Sequence, residues 1–270
     1  MLRLFTLLIV ALPAFGQDKP QTPETLITIR KGTLPIIISA PHGGRTPLAA
    51  VAERRGHGVD KFVVVLDGNT AELADKLFTQ IEKKMGGKPY LVVAHFERKF
   101  IDVNRPADGA YEDAKAKPFY DAYHKALAEF SKEVQKDWGR GLLLDIHGQG
   151  ADADAVFRGT ANGTTVKALT DRFGKTALTG PKSILGQLDK QGFKVIPAND
   201  STEKEDSRFN GGHTVRTYGS HDGQAIDAIQ LELGGKFRAK ANLDDAAGKI
   251  ADAVQVFAKE YLPAEKRKEK

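Results

Sequence analysis

The chain has 270 residues, 41% hydrophobic and 28% charged, with 40 Lys+Arg against 35 Asp+Glu and a net charge of +5. That is enough apolar material for a sizeable core and too little charge bias for disorder, and no stretch beyond the first residues is long and apolar enough to cross a bilayer. Because there is no cysteine, a disulfide framework, a thiolate zinc site and a cysteine nucleophile are excluded together, and any metal must be held by His, Asp or Glu.

Residues 1–16 read as a signal peptide: a short basic start, an apolar run over 4–15, and Ala14 and Gly16 as small residues before a cut near Gln17. The expectation is an exported protein, secreted or periplasmic, with one domain over 17–270 and no membrane contact in the mature form. After a Pro/Thr-rich lead, segments 26–30 and 34–39 are β-branched runs separated by Lys31-Gly32-Thr33, which predicts two strands. A loop follows over 41–47, then a strand-like run over 62–66. Leu73, Ala74, Leu77, Phe78 and Ile81 recur at helical spacing, so 67–84 is a helix whose N-terminus is 67–70. Strand 89–95, helix 118–138 and strand 141–146 come next. Helix 182–191, short strands 193–196 and 213–218, strand 225–233 and a closing helix 244–261 complete the chain. Continuous apolar strands between helices belong to a sheet buried on both faces, hence a single α/β domain. The lysine-rich tail, 265–270, reads as a solvated, frayed end, and no basic stripe interleaved with aromatics points to nucleic acid.

In open α/β sheets the ligand crevice lies beyond the carboxyl ends of strands, so the polar residues at strand exits are the candidates. One strand runs into Pro41-His42-Gly43-Gly44-Arg45; another into Glu97-Arg98 and Asp102-Val103-Asn104-Arg105. A third ends in Asp145-Ile146-His147-Gly148, and a fourth carries Glu232 before Gly234-Gly235. A histidine beside glycine at a strand end suits metal ligation, since glycine permits close approach and the strand fixes the imidazole. A single such histidine is more often a packed polar residue. Two of them with a glutamate at a further exit favour zinc, which in catalytic sites takes three protein ligands and keeps one position open. Serine chemistry lacks a frame, because no serine stands in a Gly-x-Ser-x-Gly elbow.

These motifs, with Asp67-Gly68-Asn69-Thr70-Ala71-Glu72-Leu73, Gly211-Gly212, Arg216-Thr217-Tyr218 and Gln230-Leu231-Glu232, stand in an order that resembles the N-formylglutamate amidohydrolase family over roughly 36–238. That family is similar to the zinc carboxypeptidases and aspartoacylases, with a mixed sheet flanked by helices, and hydrolyses an amide next to a carboxylate. The resemblance implies zinc on His42 and His147 with Glu232 as general base. It also implies a substrate-carboxylate site at Asn104 and Arg105, which an arginine fork suits chemically.

The chain departs from the carboxypeptidase pattern at Arg45, where a glutamate ligand would stand and where arginine cannot ligate a cation. Asp67 is the first candidate for the third ligand and Glu72 the second, with helix capping as the competing role for Asp67. Arg45 or Arg98 is available for the oxyanion, and Arg216 on a loop opened by Gly211-Gly212 is a further anion contact. A surface ion pair of Asp102 with Arg98 or Arg105 is the alternative reading of that segment. His95 is a candidate neighbour of the site. The expected activity is zinc-dependent hydrolysis of an amide in a carboxylate-bearing small molecule or peptide, an N-acyl amino acid or cell-wall fragment among them. The rival is a non-catalytic protein that binds acidic ligands in the same pocket.

Overall fold

A computed structural model of the protein describes residues 21–221, 223 and 225–268; the expected signal peptide lies outside these. Seven strands among the described residues form one mixed sheet: β1 (Ile27–Arg30), β2 (Ile36–Ala40), β3 (Tyr90–Ala94), β4 (Gly141–Gly148), β5 (Ala155–Gly159), β6 (Lys194–Ile196) and β7 (Ile226–Leu233). Their order across the sheet is β1-β3-β2-β4-β7-β5-β6, with β1 antiparallel to β3 and β5 antiparallel to β7. The central strands β3, β2, β4 and β7 run parallel. Helices α1 (Thr70–Met85) and α2 (Lys117–Trp138) follow strands β2 and β3, and α3 (Lys167–Phe173), α4 (Ile184–Lys190), α5 (His213–Tyr218) and α6 (Leu243–Tyr261) complete the helices longer than one turn.

The two sheet faces have separate cores. One packs Ile36, Ile38, Leu142, Leu144, Ile229 and Leu231 against α1 and α6, all fully or almost fully buried. The other packs Ile37, Leu143, Ile226 and Ala228 against α2. Alternation along each strand makes this division. On the α2 side the pattern then changes character toward the carboxyl ends. Ser39 on β2, Asp145 and His147 on β4, and Gln230 and Glu232 on β7 continue the same face as polar residues. The register sets Ser39 beside Asp145, Asp145 beside Gln230 and His147 beside Glu232. An apolar floor thus ends in a polar shelf within one sheet face.

Two expected elements differ. The run 62–66 forms no strand and is held by Arg54, whose guanidinium stacks on Phe62 and bonds the Val63 carbonyl. Segment 213–218 is the helix α5, not a strand. Its β-branched residues favour strand, but the Asn104 Oδ1 accepts the Thr214 N–H at 2.8 Å and so caps the helix from another segment. A Cβ at Gly212 would meet the Asn104 amide at 2.2 Å, which leaves glycine as the residue for that approach. The tail is also anchored in part, since Lys266 bonds the Asp137 carboxylate and lies over Trp138.

Candidate metal centre and cleft

His42 leaves β2 on the loop that returns to α1, and His147 stands on β4, so each imidazole is carried by a buried strand end. The rings meet edge-on with centroids 4.9 Å apart. Between them lies Asp67, whose Oδ2 is 3.4 Å from His42 Nδ1 and 3.2 Å from His147 Nδ1. The three residues offer ligand atoms within 4.8 Å of one another, and all three are buried.

Each histidine is held from behind by its own carboxylate. His42 Nε2 is 2.7 Å from Asp102 Oδ1, and His147 Nε2 is 2.8 Å from Asp145 Oδ2. A carboxylate on Nε2 fixes that nitrogen as the protonated one and turns the Nδ1 lone pair toward the cluster. Asp145 is itself braced by the Ser39 hydroxyl at 2.6 Å. Asp67 accepts the Gly148 N–H at 3.1 Å. It does not cap α1 with its side chain; its backbone carbonyl accepts the Thr70 N–H and hydroxyl, and the cap position belongs to Asn69 at φ 65°.

The donor set fits a divalent metal. The Nδ1 of His42 is buried without a hydrogen-bond partner, a costly state for a polar atom unless something else occupies its lone pair. Two imidazoles and one carboxylate are the donor types that zinc accepts at catalytic sites.

Burial alone would push the Asp67 carboxyl up, but the hydrogen bond with His147 and the proximity of both imidazoles hold it below the usual carboxylate range. Burial would likewise lower His147, yet Asp145, Asp67 and Glu232 raise it well above the usual imidazole value. Glu232 Oε1 lies 3.9 Å from His147 Nδ1 and accepts the Gln230 amide at 2.8 Å. Its burial pushes the carboxyl up to about 7, the favourable charges of His147, His42 and Arg98 notwithstanding. A carboxyl buried beside a polar cluster and balanced between its two protonation states near neutrality is equipped to exchange protons.

The cluster opens into a cleft of about 860 Å³. The segment around Asp102 is a buried network, not a surface pair: Asp102 is 0% exposed and takes Arg98 at 2.9 Å and Arg105 at 3.2 Å besides His42. The charges of His42 and Arg98 overcome its burial and hold it well below the usual carboxylate range. Arg98 then reaches Asp67 Oδ1 at 3.8 Å, which puts it at the cluster. Arg105 lines the cleft, but its Nε serves Asp102 and both terminal nitrogens bond the backbone carbonyls of Asp60 and Lys61. In this arrangement the fork braces a loop. Asn104 contacts His147 Nε2 at 3.3 Å, and Gly211, Gly212 and Arg216 form part of the opposite wall.

Three candidates fall elsewhere. Arg45, Glu72 and His95 line a second cavity of about 450 Å³ behind the Gly43-Gly44 loop. Arg45 bonds Asn69, and His95 Nε2 bonds the Thr28 hydroxyl at 2.7 Å. The glycines explain the separation. A Cβ at Gly43 would sit 2.3 Å from the Ala71 nitrogen and one at Gly44 2.3 Å from the His95 backbone, so these glycines let the loop pass between α1 and β3. They serve packing, where the sequence suggested open access for metal.

Sequence reasoning did not weigh Arg238. Its Nε bonds the Leu233 carbonyl, Nη1 that of Gly68 at 2.6 Å and Nη2 that of Gln149 at 3.0 Å. It therefore ties together the segments after Asp67, after His147 and after Glu232. A Cβ at Gly148 would meet its guanidinium at 2.5 Å; that glycine next to a strand-end histidine was the available signal.

Comparison with known proteins adds a family and a fold. The N-formylglutamate amidohydrolase family model matches residues 112–237, a stretch that holds His147 and Glu232 but not His42 or Asp67. No curated protein matches the chain. An N-formylglutamate amidohydrolase structure from Ralstonia eutropha JMP134 is similar, with a TM-score of 0.58 at 17% identity over 87% of this chain and 98% of that one. A gene product of Agrobacterium tumefaciens has a TM-score of 0.59 at 14% identity over 87% of this chain and 96% of its own. At such identities the likeness is one of fold. The resemblance read from the sequence is borne out: by family pattern over residues 112–237 and by fold over most of its length, the chain is similar to the N-formylglutamate amidohydrolases, a family of amide hydrolases.

Proposed function

We propose that the protein is an exported, zinc-dependent amidohydrolase that cleaves the amide of a carboxylate-bearing small molecule or peptide. One observation carries the reading: two Nδ1 atoms and a carboxylate converge in a cleft while each histidine is held through Nε2 by a separate buried aspartate. His42, Asp67 and His147 would hold the metal. Bound there, zinc supplies a Lewis acid that polarises the amide carbonyl and acidifies water.

The rest of the chemistry belongs to the chain. Glu232 accepts a proton from the water as its oxygen bonds the carbonyl carbon, then returns that proton to the nitrogen as the tetrahedral adduct collapses, so the C–N bond breaks and the amine leaves neutral. Arg98, clamped on Asp102, offers a fixed cation to the oxyanion. Asp102 and Asp145 hold both imidazoles through Nε2 and leave Nδ1 as the atom turned to the cluster. Export rests on the pattern of residues 1–16, and fits an extracellular amino-acid derivative or cell-wall fragment as substrate.

The test uses the purified protein and an N-acyl amino acid panel, with and without chelator. The wild type should carry near one zinc and cleave, and His42→Ala and His147→Ala should lose the metal, since two ligands rarely hold zinc. Glu232→Gln should keep zinc while turnover falls by about two to four orders of magnitude. Stoichiometric zinc in both histidine variants, or near-normal turnover in the glutamine variant, would overturn the reading.

A further inference from the structure

The cleft has two unlike lips. One is the segment before Asp67, where Val63 and Val65 line the cleft and are 37% and 71% exposed. Leu66 lines it with them, Phe62 and Val64 do not, and Asp60 and Lys61 add one charge of each sign where this segment begins. The other lip, residues 207–216, carries Arg208 and Arg216, both exposed. Arg216 is set by its Nε on the Gly211 carbonyl and a terminal nitrogen on Asn210. His42, Asp67 and His147 line the same cleft as both segments, Asp67 follows Val65 by two residues, and the Lys61 ammonium bonds the Ser207 carbonyl where the two segments meet.

Single exposed apolar side chains need no explanation, but a run of them at the mouth of a site does. Val63, Val64 and Val65 are three of five large exposed hydrophobic residues among the described residues. The cleft is also large. Its volume of about 860 Å³ stands near the top of the range for drug-sized ligands, roughly 300–1,000 Å³, far beyond what a one-carbon acyl group on an amino acid fills.

We infer that the substrate is an N-acyl amino acid whose acyl group is an apolar chain of several carbons, lying along Val63 and Val65 while the amino-acid carboxylate meets Arg216. The inference rests on the amidohydrolase reading and specifies its substrate. An amide placed at the cluster has one half over each lip. The carboxylate half suits the arginine lip, which leaves the acyl half to the valines. Hydrolysis adds the elements of water across the C–N bond and releases a fatty acid and a free amino acid.

The experiment follows kcat/KM of the zinc-loaded protein for formyl-, acetyl-, hexanoyl- and octanoyl-glutamate. Complete burial of a methylene corresponds to roughly fourfold in affinity; along a lip that stays partly wet, about twofold per carbon is expected. Val65→Asp and Val63→Asp should each lower the octanoyl-to-acetyl ratio by about tenfold or more. In Glu232→Gln, calorimetry should show octanoyl-glutamate binding more tightly than acetyl-glutamate. Cleavage with formyl-glutamate preferred, or with no dependence on chain length, would overturn the inference and leave the amidohydrolase reading standing. Cleavage of none of the four by the zinc-loaded protein would overturn that reading, and the inference with it.

Discussion

Replacing Asp145 by Asn removes one negative charge from behind His147 with little change in shape. Asp145 is completely buried, accepts the Ser39 hydroxyl on Oδ1 at 2.6 Å and meets His147 Nε2 with Oδ2 at 2.8 Å. Asparagine satisfies both contacts, its carbonyl accepting from Nε2–H and its amide donating to the Ser39 oxygen. The electrostatic change has two parts. Loss of a carboxylate behind a ligating histidine lowers metal affinity about 10–100-fold, or about 1.4–2.8 kcal/mol. Burial lowers the His147 pKa and Asp145 is the first of the charges that raise it, so loss of that charge moves the ring's pKa down. In the wild type, then, zinc must displace a proton from His147 at pH 7, and in Asp145→Asn the ring holds that proton less strongly. Calorimetry in buffers of different ionisation enthalpy should show fewer protons released per zinc by the variant. Chelator competition should show weaker binding at high pH, with the gap narrowing as pH falls. Equal proton release and equal affinity at every pH would refute the role given to Asp145.

Arg238→Lys leaves the Gly68 and Gln149 carbonyls short of donors, which costs about 1–3 kcal/mol in stability, and zinc affinity should fall because both tied segments carry ligands. Arg45→Ala, on the other cavity, should leave zinc affinity unchanged; competition with a chromophoric chelator compares the two. For the metal-free protein, the fold raises Glu232 from 4.5 to about 7. Its contribution to stability is therefore full below pH 4.5 and lost as pH rises through about 7. Melting temperature should fall over that window in the wild type, and Glu232→Gln should lack this part of the fall. Asp67, with its depressed value, contributes in the opposite sense only at lower pH, and His147 loses its contribution above its raised value.

Much of this molecule is legible in one dimension because its signals are local. Continuous apolar runs gave strands buried on both faces, as found for β2, β3, β4 and β7, and the 3.6-residue periodicity of α1, α2 and α6 needs no partner to be seen. His42, His147 and Glu232 are visible because chemistry-bearing residues at strand ends are separated by few positions from the glycines and turns that mark those ends. The sequence ranked Asp67 before Glu72 as the third ligand but left helix capping as a competing role. Asp67 precedes the cap of α1 and Glu72 stands in its first turn, and only the return of the loop to β4, with the Gly148 N–H on the Asp67 carboxylate, decides which one faces the histidines. The removal of Arg45 and His95 to a second cavity likewise depends on the Gly43-Gly44 loop passing between α1 and β3.

The remaining differences share that cause. Segment 213–218 has strand composition but folds as helix because Asn104, more than a hundred residues earlier, caps it. Segment 62–66 has strand composition but meets no neighbouring edge. Arg238 acquires its role from three carbonyls contributed by three separate segments. The linear pattern determined which stretches would be buried and which residues could perform chemistry, since hydrophobic period and side-chain type are properties of the chain itself. Only the tertiary structure decided which of those residues meet, because a hydrogen bond between distant segments leaves no periodic trace in either one.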